Sequence, residues 1–373
     1  MKICVIAGYA PSLLNFRGPL LRAMVECGHE VAALAPSEDV DGVAQGLAEL
    51  GVSFRPVRLS RRGMNPLKDY ATILDLRAAL ETEQAELVFS YTIKPVIYGS
   101  MAAGRAGLKR IYSLVTGQGR VFQKQGWTGL FLGGLVKGLY RGALQYNNCV
   151  FFQNPDDERV FRETRMLAPD ARTVVTYGTG VDLDHFAETP LPDGPPVFLC
   201  VARLLREKGL AELAEAARLV RREHPEAEFR LLGPFEAGPG GVSRAEVEAW
   251  EREGGLRHLG VTGDVRPHLA EASVAVLPSY YGEGLPRSLQ EAAAMGRAVV
   301  TTDHPGCREA VRDGQNGLLV PVRDAAALSE ALKAFILDPE KARRMGRASR
   351  VLAEERFDVR KINAALLREM ELC

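Results

Sequence analysis

The sequence predicts an α/β protein of two Rossmann-like, doubly wound domains facing each other across a cleft, with a C-terminal helix crossing back to the first domain. Three observations carry this expectation. Short runs rich in β-branched and aromatic residues alternate with amphipathic helical patterns along the chain, which is the punctuation of parallel sheets covered by helices. A Pro-rich break, AETPLPDGPP, divides the alternation into two series, because Pro190, Pro192, Pro195 and Pro196 forbid a continuing helix or central strand. Finally, 373 residues with 46% hydrophobic composition suffice for two separate cores.

Taken in order, KICVIAG, HEVAALA, VSFRPVRL, ELVFSY, RIYSLVT, NCVFFQN and RTVVTYG supply the strands of a first domain over residues 1–188. After a linker at 189–196, VFLCVAR, EFRLLG, LRHLG, SVAVLPS, AVVTT and GLLVP supply those of a second domain over 197–356, interleaved with helices such as LAELAEAARLVRRE. From Asp338 the pattern is helical, with a break expected around Phe357 and Asp358, and residues 357–373 are expected to return to the first domain. The opening MKICVIAGYAP holds one Lys and a short apolar run ended by Pro11, a first strand more than a signal peptide. Six cysteines stand alone without CxxC spacing, and a reduced cytosolic setting follows.

The formal net charge is zero, which removes any global argument for nucleic acid. The charge is unevenly placed, however: Leu87 to Pro155 contains eight Lys or Arg and no Asp or Glu, so an anionic neighbour is expected. Inside that block, WTGLFLGGLVKGLYRGALQY is apolar but interrupted by Lys137 and Arg141. It reads as a core helix whose Gly129, Gly133, Gly134, Gly138 and Gly142 allow close backbone packing, with a bilayer-facing helix as the alternative.

The densest chemistry lies in SYYGEGLPRSLQEAAAM, Ser279 to Met295. Glu283 and Glu291 have seven residues between them, among them Gly284, Leu285 and Pro286, and the apolar SVAVLPS before them reads as a buried parallel strand. Pro286 fits the first turn of a helix, whose free N–H groups and dipole favour a phosphate in front of it. One carboxylate could take donor-sugar hydroxyls and the other the ribose hydroxyls. The plain alternative is a loop Glu followed by a surface Glu on an amphipathic helix. In VFLCVARLLREKGL, Arg203 stands at a strand end and Lys208 five residues on, where the next helix starts. A guanidinium fork and an ammonium there suit a diphosphate, although such a pair alone is ordinary surface chemistry. At the start of the first helix, Asn15, Arg17 and Gly18 could donate to a phosphate or sugar, or serve as an N-cap and a solvated cation. Neither a G-x-G-x-x-G turn after the first strand nor a G-x-x-x-x-G-K-[ST] loop is present, so dinucleotides and P-loop nucleotides have no support. The His and Cys are scattered and no DxD stands at a strand end, so no metal is implied.

The set VARLLREKGL, RLLGP, HLGVTGDVRPHLAEASVAVLPSYYGEGLPRSLQEAAAMGRAVVTTDHPGCREAV and NGLLVPVRD resembles the donor-binding half of family 4 glycosyltransferases with the GT-B fold. In the first half, YTIKPVIYGS, VTGQG and YGTGVDLDHF resemble bacterial members that build lipid-linked, capsular or lipopolysaccharide oligosaccharides. The resemblance implies Arg203 and Lys208 on the donor diphosphate, Glu283 on the sugar, Glu291 on the ribose, Gly263, Asp264 and Val265 beside the base, and backbone N–H groups of Gly284 and Leu285 on phosphate. Many family members carry a His in an N-domain loop; of the six here only His29 lies before YGTGVDLDHF, in a turn where it reads as structural. The corresponding loop is Thr116 to Gly119, which leaves the identity of any acid or base open.

The resulting expectation is a retaining, metal-independent transferase moving a hexose or N-acetylhexosamine from a nucleotide sugar, UDP-linked, to a lipid-linked glycan. No cofactor is expected. A polyprenyl-diphosphate acceptor would be met by Asn15, Arg17, Lys94, Thr116 and Arg120, with Arg105, Lys109, Arg110 and Lys124 near its phosphates or anionic headgroups. The enzyme would sit peripherally on the cytoplasmic face of the inner membrane. A UDP-sugar epimerase on the same fold and a non-catalytic sugar-nucleotide-binding scaffold are the alternatives.

Overall fold

The computed structural model describes residues 1–38, 40–60, 65–119, 127–238 and 240–373, without the side chains of 127–132. Two compact units emerge, Met1–Thr179 with Val359–Cys373, and Gly180–Asp358. In the first, strands β1 (Lys2–Ile6), β2 (Glu30–Ala35), β3 (Val52–Pro56), β4 (Leu87–Tyr91), β5 (Arg110–Val115), β6 (Cys149–Phe152) and β7 (Thr173–Val175) form one sheet in the order β3-β2-β1-β4-β5-β6-β7. Every pairing is parallel, with Ile3 opposite both Val31 and Leu87. All five residues of β4 are buried, because helices cover both faces and each face then needs apolar side chains. Alternate residues serve the two faces: Cys4, Ile6 and Val88 pack on one, Ile3, Val5 and Phe89 on the other.

The second unit holds β8 (Val197–Val201), β9 (Glu228–Leu232), β10 (Leu256–His258), β11 (Val274–Leu277), β12 (Ala298–Thr302) and β13 (Gly317–Val320), all parallel, in the order β10-β9-β8-β11-β12-β13. In each sheet the chain winds outward from a central strand and then jumps back across it. The reversal falls between β1 and β4 in one unit and between β8 and β11 in the other. Open parallel sheets bind ligands outside the carboxyl ends of the strands at that reversal.

The chain leaves the first unit at Thr179, before residue 188, and the reason is contact. Val181 bridges to Asp358, Phe186 is buried with Leu352 and Phe357, and the buried Arg297 guanidinium donates to the carbonyls of Thr189 and Pro190 at 2.8 and 3.1 Å. Residues 180–190 therefore belong to the second unit. At the other end, helix Pro339–Leu352 continues as a π-helical turn, Ala353–Phe357, until Asp358 becomes extended at φ −63° and ψ 115°. The break expected there is present. Helix Val359–Glu369 then packs Ile362, Leu366 and Leu367 among Ile3, Val5 and Phe89 of the first unit.

Three sequence expectations change. Cys27 and Cys373 do not stand alone: they are bonded, with Cα atoms 6.1 Å apart, across a separation of 346 residues that no local spacing could reveal. The argument for a reduced compartment from isolated cysteines therefore lapses. The other four are buried thiols pushed up to about 12 by burial. Next, helix Trp127–Leu144 buries Val136, Tyr140, Ala143 and Leu144, as a core helix should, yet among the described residues nothing lies within 4 Å of a Cβ added at Gly133, Gly134 or Gly138. Gly134 and Gly138 lie on the exposed side and do not mediate the close packing expected of them. Among the described residues no helix is long and apolar enough to cross a membrane. Last, the basic block is acid-free only in sequence, since Lys94 pairs with Asp69 at 3.3 Å and Arg110 with Glu371 at 2.7 Å.

Candidate functional site

The loops that leave β8 and β11, the two strands flanking the reversal in the second unit, are locked to each other by backbone. Gly209 follows the short 3-10 turn Arg206–Lys208 and adopts φ +71°, and a Cβ there would stand 2.0 Å from the Pro278 carbonyl oxygen. Only glycine permits that approach. Tyr280 N–H donates to the Glu207 carbonyl at 2.9 Å, and Ser279 Oγ reaches the same oxygen at 3.3 Å. This clasp sets Lys208 against Glu283: Nζ donates to Oε1 at 2.5 Å, with the two side chains 9% and 17% exposed. Ser279 Oγ donates to the same Oε1 at 3.0 Å, and the Lys208 ammonium stands 5.7 Å from the centre of the Tyr281 ring. A nearly buried cation thus has one carboxylate and an aromatic face to stabilise it.

Beyond Glu283, the turn Gly284–Leu285–Pro286 leads into helix Arg287–Ala294. Pro286 is the residue capping this helix from outside, not a member of its first turn, and no side chain caps the helix start. Positive dipole and first-turn N–H groups therefore lie one residue beyond the expected place. Gly306, at φ +82°, presses on the other side of the turn, where a Cβ would lie 2.5 Å from the Glu283 carbonyl oxygen and 2.6 Å from that of Gly284. Glu291 sits one turn into the helix and accepts from Arg287 Nε at 2.8 Å. Burial raises its carboxyl above the usual range and Arg287 opposes the rise.

Two predicted elements stand elsewhere on the same sheet edge. Arg203, expected beside Lys208, is exposed and pairs with Glu236 of the loop after β9 at 3.1 Å. The turn after β10 is held by Thr262, whose Oγ1 accepts from Asp264 N–H at 3.1 Å and donates to the Asp264 carbonyl at 2.9 Å. Asp264 is taken by Arg266 through 2.9 and 2.7 Å hydrogen bonds, which hold its carboxyl at about 2. Gly263 has open space around it, Val265 precedes helix Arg266–Ala270, and Val261 beside them is 68% exposed. Sequence reasoning missed the supporting groups Ser279, Tyr281, Arg287, Glu236 and Gln290. Gln290, fully buried and donating to the Leu285 carbonyl at 3.3 Å, was the most detectable of these, as a polar residue on the apolar side of its helix.

In the first unit the reversal lies between β1 and β4; of the acceptor candidates Asn15 and Arg17 follow β1, Lys94 follows β4, and Thr116 and Arg120 follow β5. Asn15 ends a five-residue helix, Pro11–Asn15, so it is not an N-cap. Arg17 is buried, not solvated, and stacks its guanidinium 5.1 Å from the Tyr91 ring centre, while Gly18 begins helix Gly18–Glu26. Lys94 is engaged by Asp69, as above, so its charge is already answered. Arg120 and Lys124 lie outside the described residues. His29 bonds the Leu372 carbonyl through Nε2 at 2.8 Å, a structural role.

Thr116 is half-buried at the end of β5, in the loop that Gln118 ties down by donating to Asp157 Oδ1 at 2.8 Å. Asp157 was not anticipated. Its carboxyl is buried and pushed up to about 6 from 3.8 by burial, against the hydrogen bonds from Gln118 and Asn154. A folded value above the unfolded one contributes stability that is present below about pH 4 and lost as pH rises through about 6, roughly 3 kcal/mol for a two-unit rise. We expect Asp157→Asn, which cannot titrate, to gain stability relative to the wild type as pH goes from 4 to 8 in denaturant unfolding. A stability difference that is flat across this range would show that the carboxyl is not perturbed.

Comparison with known proteins follows the same division. The family description "Glycosyl transferases group 1" matches residues 182–351 and "Glycosyl transferase 4-like domain" matches 17–178. The chain is 27% identical over 356 residues, 92% of its length and 91% of the relative's, to the N,N'-diacetylbacillosaminyl-diphospho-undecaprenol alpha-1,3-N-acetylgalactosaminyltransferase of Campylobacter jejuni. Among solved structures it resembles sucrose-phosphate synthase of Thermosynechococcus elongatus, with TM-score 0.80 and 19% identity, covering 99% of this chain and 98% of that one. It also resembles Alr3699/HepE of Anabaena, solved in complex with UDP-glucose, with TM-score 0.77 and 18% identity over 100% of both chains. At such identities the structures establish the fold, which is GT-B. With both halves matched in order and the fold agreeing, the chain belongs to the glycosyltransferases that join a 4-like first domain to a group 1 second domain.

Proposed function

We propose that this glycosyltransferase moves a hexose or N-acetylhexosamine from a UDP-linked sugar to a polyprenyl-diphosphate-linked glycan, with retention of anomeric configuration and without a metal. The observation that carries the donor side is the Lys208–Glu283 pair spanning the chain reversal between β8 and β11. An ammonium at that reversal suits a diphosphate and a carboxylate beside it suits sugar hydroxyls, which supports the reading. The start of helix Arg287–Ala294 adds backbone donors for phosphate, and Glu291 one turn on is the carboxylate for the ribose. The Gly263–Val265 turn suits the base. Negative charge on the departing diphosphate is then met by Lys208, Arg203 and the helix dipole, and a leaving phosphate oxygen can take the acceptor proton on the same face of the sugar.

The acceptor side rests on the Campylobacter relative, whose name specifies a diphospho-undecaprenol substrate; Asn15, Arg17, Lys94 and Thr116, in the segments that follow β1, β4 and β5, are the residues we assign to it, with Lys94 exchanging Asp69 for the acceptor. A polyprenyl-linked acceptor places the enzyme peripherally at a membrane, on the cytoplasmic face. UDP release from UDP-N-acetylhexosamines and UDP-hexoses, assayed with and without a lipid-linked oligosaccharide, tests the reading. Acceptor-dependent release that persists in EDTA is expected. Conversion of the UDP-sugar without acceptor would make the protein an epimerase, and restoration by divalent ions after EDTA would end the metal-free mechanism.

A further inference from the structure

Helix Pro66–Thr82 departs from the usual division of a covering helix into an apolar and a polar side. Its inner face buries Thr72, Ile73, Leu76, Ala79 and Leu80 in the first unit's core. The first two turns of its outer face are apolar too, before the exposed Arg77–Glu81 pair takes that face over: Leu67 is 83% exposed, Tyr70 54% and Leu74 47%, with Ala71 exposed between them. These positions recur at the helical period, so they form one stripe about 10 Å long. Such a concentration of exposed large apolar side chains on a single helix needs an occupant.

The charges around the stripe indicate which. Asp69 is turned onto Lys94, and Asp75 accepts from the backbone N–H of Arg58 at 2.7 Å. Beside the stripe runs a groove of about 370 Å³, lined by Arg58 and Lys68 and by one acid, Glu38, with Ser37, Ser60 and Ala71. From residue 58 to 68 the sequence carries four cations, Arg58, Arg61, Arg62 and Lys68, and no acid; Arg61 and Arg62 lie outside the described residues and the surface stands on the other two. Three exposed apolar side chains are far fewer than the roughly 20–30 residues a side of a stable protein interface. They suffice for a shallow seat among headgroups, with Tyr at the boundary and cations over lipid phosphate.

We propose that the outer face of helix Pro66–Thr82 lies in the headgroup layer of an anionic phospholipid bilayer, Leu67, Tyr70 and Leu74 entering it and Arg58 and Lys68 meeting lipid phosphates. This rests on the reading above that the enzyme works at a membrane, and it moves the contact away from the basic block and from helix Trp127–Leu144.

Sedimentation of the full chain with phosphatidylcholine vesicles, with and without 30% phosphatidylglycerol, tests it against three variants: Leu67→Ser/Leu74→Ser, Arg58→Gln/Lys68→Gln and Leu135→Ser. Leu135 is 45% exposed on the rival helix. Expected are wild-type binding only to anionic vesicles, at least tenfold weaker binding by both double variants, and no change for Leu135→Ser. Turnover on a short-chain, water-soluble acceptor should stay at the wild-type level in all three, which shows that they fold. A wild type that binds no vesicle overturns the membrane reading itself. Wild-type binding that the double variants retain, or that Leu135→Ser abolishes, overturns this surface alone. A concentration-dependent dimer in light scattering that Leu67→Ser/Leu74→Ser dissolves, with vesicle binding intact, would assign the stripe to a second copy instead.

Discussion

Lys208→Ala is expected to lower kcat by on the order of 100- to 1000-fold, the loss typical of removing one donor aimed at charge that develops in a transition state. Donor affinity should change far less, since the ammonium is already committed to Glu283 and gains most when the diphosphate departs. Lys208 is nearly buried, and its removal also leaves the Glu283 carboxylate without its cation. Unfolding measurements on the same variant separate that structural cost from the kinetic one. A folded Lys208→Ala enzyme with wild-type kcat would remove the lysine from the mechanism.

The second large effect is structural. Gly209→Ala should destabilise the second unit by roughly 2–4 kcal/mol, because it combines left-handed strain with overlap between a methyl group and the backbone of the neighbouring strand's loop. The two contributions can be separated with Gly314, which has φ +74° but nothing within 4 Å of an added Cβ. Gly314→Ala should cost only about 1–2 kcal/mol, the left-handed penalty by itself. Denaturant unfolding that finds the two variants equal would mean that the β8 and β11 loops are not clasped. Activity should fall with Gly209→Ala even in the fraction that remains folded, since the displaced loop is the one carrying Lys208.

Much of this was legible in the sequence because parallel sheets covered on both faces write continuous apolar runs, such as LVFSY and SVAVLPS, that end at turn residues. Strand ends were therefore visible, and with them Lys208, Glu283 and Glu291. Their partners were not. Ser279 and Tyr281 look like ordinary loop residues until the Gly209–Pro278 approach folds them around the ammonium. Arg203 and Lys208 share a loop, but Arg203 turns to Glu236, 33 residues away. Distance in sequence hid Cys27 from Cys373 and Lys94 from Asp69 in the same way. Composition also says nothing about direction: glycines along helix Trp127–Leu144 were expected inside and several face outward, and the apolar Leu67 and Leu74 are exposed. The first unit closes before the Pro-rich segment because Arg297 and Phe186 draw residues 180–190 onto the second core, a tertiary contact with no local signature.

The central claim is that the second unit carries a nucleotide-sugar site at the carboxyl ends of β8, β10 and β11. Titration calorimetry of UDP into the wild-type chain, Glu291→Ala and Arg203→Ala tests it most directly, since binding of the nucleotide needs neither acceptor nor turnover. The wild type should bind, and each variant should bind roughly 10- to 100-fold more weakly, having lost a charge-assisted contact worth about 1.5–3 kcal/mol. Unchanged affinity in both variants would contradict the assignment of the site.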